Sequence, residues 1–106
     1  MSSEETSVFG ARLKEARLRV GLSQKQLGIA AGLDPFVAST RINRYELGIH
    51  KVDYQFAKRL AAVLSVSVAY LYADDPELAE LIDLYGGLPS ERKEMFLTLA
   101  RELALR

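Results

Sequence analysis

Five of the six residues between positions 39 and 44, Ser39, Thr40, Arg41, Asn43 and Arg44, carry side chains whose donors and acceptors match base edges in a nucleic-acid groove. The planar fork of arginine fits O6 and N7 of guanine, and the amide of asparagine fits N6 and N7 of adenine. Serine and threonine hydroxyls take either a base or a phosphate. Two further pairs suit phosphate: Gln24 and Lys25 at the start of a short helix, where the dipole favours an anion, and His50 and Lys51 in a loop.

Other chemistries are poorly supplied. With no cysteine there is no thiol nucleophile, thiolate zinc site or disulfide, and with one histidine there is no histidine cluster for a metal. No glycine loop cradles phosphate, and no carboxylate pair sits in an apolar setting that would tune acid and base roles apart. Asp74, Asp75, Glu77 and Glu80 could suit a hard cation, but capping of a helix with Pro76 in its first turn explains them without an ion. The expectation is a binding protein with no catalytic residue, metal or cofactor.

The formal net charge of the 106 residues is zero, which argues against a protein that coats nucleic acid, but the charges are unevenly placed. From Phe9 to Leu60 there are ten basic and four acidic side chains, a net +6, and the acidic balance lies at the two ends. Phosphate neutralisation by such a segment supplies the sequence-independent part of duplex affinity. No apolar run approaches the ~20 residues of a membrane span, and the first residues are polar and acidic, so a cytoplasmic protein is expected.

The elements that must position these groups are helical. Residues 1–7 lack apolar periodicity and are expected to be a tail. Phe9, Leu13, Ala16 and Val20 form one stripe of a first helix that stops at Gly21. Ser23 caps a second helix by accepting from the amide of Gln26; Leu27 and Ala31 point inward, and Gly32 ends it. Gly28 inside so short a helix costs about 1 kcal/mol relative to alanine, which predicts close passage of another helix backbone. Asp34-Pro35 is a helix start. Asp53 caps a fourth helix with Phe56, Leu60, Val63 and Leu64 inward, and Ser67 caps a short fifth carrying Tyr70, Leu71 and Tyr72.

Gly21-Leu22-Ser23-Gln24, Leu27, Ala31-Gly32-Leu33, Tyr45-Glu46 with Gly48, and Leu64-Ser65-Val66-Ser67 together resemble the helix-turn-helix regulators of the lambda-repressor and Cro (XRE-like) type over about residues 9 to 72. The resemblance implies a five-helix all-α DNA-binding domain whose third helix enters the major groove. One departure matters. Gly32 to Gly48 spans sixteen residues, where about twelve are usual in that family. Without an insertion the inward sites of the third helix would be Ala38 and Arg41, burying an unpartnered arginine at high cost. A shift of four, about one helical turn, places Ile42 and Tyr45 inward instead. The third helix should therefore carry an extra turn at residues 35–38, either continuous with it or broken near Ser39-Thr40. Its outward face is then the window of residues 39 to 44, while Glu46 pairs with Arg12 or Arg17 of the first helix. Phe36 and Val37 either pack on a neighbouring helix or touch thymine methyl groups.

The chain is divided on this reading into residues 1–7, a DNA-binding domain at 8–73, and a helical hairpin at 74–106. Leu78, Leu81, Ile82 and Tyr85 line one helix of the hairpin and Met95, Phe96, Leu99 and Leu103 the other, joined through Gly86-Gly87-Leu88-Pro89. These stripes either lie back over their own subunit or form a two-fold interface; a homodimer is preferred because it doubles the DNA contacts. The expected function is a transcriptional regulator that represses from an inverted-repeat operator. The alternative is an antitoxin or adaptor whose hairpin binds a partner protein.

Overall fold

In a computed structural model, which describes residues 7–105, α1 (Val8–Val20) begins on Ser7, whose hydroxyl accepts from the amide of Gly10 at 3.0 Å. Ser7, expected in the tail, is thus a helix cap; residues 1–6 lie outside the described residues. Phe9, Leu13 and Ala16 are buried as expected, but Val20 and Leu18 are exposed. The inward position of the last turn belongs to Arg17, which can be buried because its charge is met there by Glu46.

α2 (Gln24–Ala30) starts with a reciprocal box: the Ser23 hydroxyl accepts from the Gln26 backbone amide at 2.9 Å, and the Gln26 side-chain oxygen Oε1 accepts from the Ser23 backbone amide at 2.8 Å. Gly32 closes the turn at φ 106°, a conformation available to glycine without strain. α3 (Pro35–Glu46) is capped by Asp34 with proline in its first turn, and it runs unbroken through Ser39-Thr40. The additional turn is therefore continuous with the helix. Ala38, Ile42 and Tyr45 are buried, as the four-residue shift requires. Gly28 faces Ala38: a Cβ there would stand 2.7 Å from the Ala38 Cβ, so the missing side chain is what lets α2 and α3 cross so closely.

α4 (Tyr54–Leu64) is capped by Asp53 and buries Ala57, Leu60, Ala61 and Leu64, with Phe56 and Val63 half-buried at its edges. α5 (Val68–Leu71) buries Tyr70 and Leu71, while Tyr72 stays exposed with its ring 5.1 Å from that of Phe9. The Tyr70 hydroxyl donates to the Glu15 carboxylate at 2.7 Å. This bond holds the Glu15 carboxyl below its ordinary value, and burial together with the bond pushes the Tyr70 phenol up to about 12.

The core continues past residue 73. Ala73 and Ala79 are buried in it and Ile82 packs against it, so α6 (Pro76–Gly86) rests on α5, pinned to α1 by an Arg19–Asp83 ion pair at 3.2 Å. α7 (Ser90–Ala104) behaves differently. It buries no residue and belongs to none of the closely packed helix pairs. Its link to α6 is local to the junction, where the Tyr85 and Phe96 rings meet edge-on at 5.8 Å and the Lys93 ammonium lies 5.3 Å from the Tyr85 ring centre. The expected hairpin is thus open: α6 lies on its own subunit and α7 stands away, which contributes to the 51 Å long axis. Among the described residues no helix is long and apolar enough to cross a membrane.

Candidate nucleic-acid interface

With Ala38, Ile42 and Tyr45 directed inward, the helical period of α3 turns residues 36, 37, 40 and 44 to the opposite side. Phe36, Val37, Thr40, Arg41 and Arg44 line one shallow cleft of about 240 Å³ on that surface. Ser39, Thr40, Arg41, Asn43 and Arg44 are all exposed. They do not form one uniform patch. Thr40 and Arg44 lie near the centre of the outward face; Arg41 lies at one flank, its guanidinium 3.5 Å from the Tyr45 hydroxyl; Asn43 lies at the flank nearest the start of α2.

Asn43 is held there by Gln24. The Gln24 side-chain nitrogen donates to Asn43 Oδ1 at 3.1 Å and to Glu46 Oε1 at 3.0 Å. Glu46 in turn accepts from Arg17, at 2.6 Å from Nε and 3.2 Å from the second guanidinium nitrogen, and Arg17 also donates to the Leu22 carbonyl at 2.9 Å. Arg17, and not Arg12, is therefore the partner of Glu46; Arg12 instead donates to the Ala73 and Asp74 carbonyls and to Glu15. The chain Arg17–Glu46–Gln24–Asn43 ties three helices together and fixes the amide of Asn43, leaving its nitrogen free to donate outward. Gln24, expected at phosphate, has its donors committed inside the protein. That role was not legible in spacing, because positions 17, 24, 43 and 46 meet only in the folded chain.

Lys25 is exposed at the amino end of α2, beside the capping box of Ser23 and Gln26. His50 and Lys51 are exposed beyond the carboxyl end of α3 and line a larger cleft of about 470 Å³ with Ser7, Val8, Phe9, Gly48, Val52 and Tyr72. Since Gln24 reaches Asn43 and Glu46, the start of α2 and the loop after α3 lie toward the same end of α3, with the extra turn at the other.

The helical fold that carries this face is matched among known proteins. A family model for the helix-turn-helix domain matches residues 8–71. The chain belongs to this helix-turn-helix family. Two relatives, uncharacterized HTH-type transcriptional regulators of Sinorhizobium medicae (strain WSM419) and Rhizobium meliloti (strain 1021), are each 28% identical over 67 residues, covering 63% of this chain. The chain spans 45% of the length of these curated relatives. The crystal structure of the transcriptional regulator BswR is similar over 88% of this chain and 92% of that one, with 45% identity and a TM-score of 0.83. Residues 1–71 make up about two thirds of the chain, so that similarity takes in part of the segment beyond the helix-turn-helix domain. The resemblance drawn from the glycines, Ser23-Gln24 and Tyr45-Glu46 is thereby confirmed at the level of the helix-turn-helix regulators.

Proposed function

We propose that the protein is a sequence-specific, double-stranded-DNA-binding transcriptional regulator of the cytoplasm, acting as a repressor by occupying a promoter. The observation that carries this reading is the outward face of α3, where Thr40, Asn43 and Arg44 stand free of the core beside Arg41. Thr40, Arg41, Asn43 and Arg44, with Ser39 at the edge, read bases in the major groove. Lys25, His50 and Lys51 contact phosphate, with Gln24 acting chiefly as the brace of Asn43.

The same reading makes the protein a homodimer. α7 exposes Met95 by 68%, Leu99 by 58% and Leu103 by 68%, and none of its residues is buried among the described ones. An antiparallel two-fold pairing of α7 about position 97 would set Met95 against Leu99 and Arg92 against Glu102 between copies, a self-complementary arrangement. The exposed Leu78 and Leu81 of α6, with half-buried Tyr85 and Phe96 at the junction, extend the surface, whereas Ile82 is largely occupied by its own core. Two recognition helices would then fall on half-sites about 34 Å apart, or a multiple of that.

Selection of bound sites from a random duplex library tests the proposal: an enriched inverted repeat supports it, and no enrichment with no salt-dependent retention of random duplex overturns it. A second reading is favoured by α7 alone. Its open apolar face suits an antitoxin or adaptor that holds a partner protein; an adaptor without DNA binding would show no salt-dependent retention, while an antitoxin repressing its own operon would show both activities.

A further inference from the structure

Phe36 is 98% exposed, the most exposed large apolar side chain among the described residues, although the domain offers a core a few residues away. Its backbone is held there with little freedom. The Asp34 carboxylate accepts from the Phe36 amide at 2.8 Å, Pro35 fixes the first turn, and the helix runs on without a break to Glu46. Val37, beside it, is also exposed, and the two line their cleft with Thr40, Arg41 and Arg44. This small apolar surface is rimmed by two cationic side chains, which complement a polyanion. It suits an apolar group carried on a polyanion, and in the major groove the thymine C5-methyl is that group.

We propose that Phe36, assisted by Val37, is a specificity-determining residue that reads a thymine methyl group in each half-site. The inference rests on the DNA-binding reading of α3. The additional turn places an apolar reader ahead of the polar readers Thr40, Asn43 and Arg44, so the protein specifies a thymine beyond the base pairs those side chains address.

The test uses the full chain and the duplex recovered from library selection, with each thymine of one half-site replaced in turn by deoxyuridine, which removes only the methyl. For the unsubstituted protein, one position is expected to lose about fourfold in affinity, the worth of one buried methyl group. With Phe36→Ala, that position should become insensitive to the exchange, while affinity for the deoxyuridine duplex stays near that of the unsubstituted protein. Phe36 is outside the core, so the variant should fold, and its far-ultraviolet circular dichroism checks this. Equal sensitivity to deoxyuridine in both proteins overturns the inference and leaves the DNA-binding reading standing, as does a selected site with no methyl-sensitive thymine. Failure of the selection to recover any site, with no salt-dependent retention of random duplex, removes the DNA-binding reading itself, and this inference with it. Undiminished duplex binding by Phe36→Ala together with loss of dimer in a sizing column would assign Phe36 to a protein interface instead.

Discussion

Removing one member of the Arg17–Glu46 pair should destabilise the fold strongly, whereas removing both should not. The two residues retain 8% and 6% of their surface, so each charge has left most of its water. In Glu46→Ala the Arg17 guanidinium keeps only the Leu22 carbonyl at 2.9 Å; in Arg17→Met the Glu46 carboxylate keeps only the Gln24 amide at 3.0 Å. An uncompensated buried charge costs about 3 to 5 kcal/mol, a fifth or more of the roughly 5 to 15 kcal/mol that holds a small domain together. Arg17→Met combined with Glu46→Leu buries no charge and should lie within about 1 kcal/mol of the parent. The single costs therefore should not add, and the coupling should be several kcal/mol. Urea denaturation of the four proteins, followed by circular dichroism, measures the cycle. Single variants that each cost less than about 1 kcal/mol, or a double variant as unstable as the sum of its parts, would refute the account of a buried, mutually dependent pair. The double variant has a second use. Gln24 loses its Glu46 anchor there while the fold survives, so a loss of duplex affinity on the order of tenfold would isolate the positioning of Asn43 from stability.

Arg44→Ala should lower affinity for the selected duplex by about 1 to 3 kcal/mol and relax preference at one base pair, whereas Lys51→Ala should weaken all duplexes alike and flatten the salt slope by about one; fluorescence anisotropy across a salt series separates them. Leu99→Glu should convert the proposed homodimer to monomer in light scattering while leaving the helix content unchanged, because Leu99 touches no core; a parent protein monomeric at tens of micromolar would defeat the proposed α7 interface. Tyr70→Phe should return the Glu15 carboxyl upward toward its ordinary value in an NMR titration. Glu15 is lowered in the fold, so its contribution to stability is present above about pH 4.5 and lost as the pH falls through the lowered value. Tyr70 is raised, so its contribution is full below pH 10 and lost as the pH rises through about 12. The variant should weaken both dependences, and an unchanged Glu15 titration would show that the bond is not formed in solution.

What the sequence determined by itself was local or followed from a single burial cost. Ser23, Asp34, Asp53 and Ser67 each cap the helix expected of them, because a cap and the amide it satisfies lie two or three residues apart. The added turn of α3 was legible because the unshifted register would have buried Arg41 with no partner, while Ile42 and Tyr45 fit the core. Tertiary structure decided the rest. Periodicity put Val20 in the core in place of Arg17, since a pattern of apolar residues carries no information about a carboxylate 29 positions away that makes burial of a guanidinium tolerable. Gln24 had the composition of a phosphate ligand, and only the crossing of α2 and α3 turned its amide onto Asn43 and Glu46. The two C-terminal helices have similar apolar stripes, yet α6 lies on the core and α7 stands clear of it. Helical period fixes which side chains share a face, but what that face meets depends on the direction in which the chain leaves Gly87, Leu88 and Pro89, a matter of three-dimensional path that no local pattern encodes.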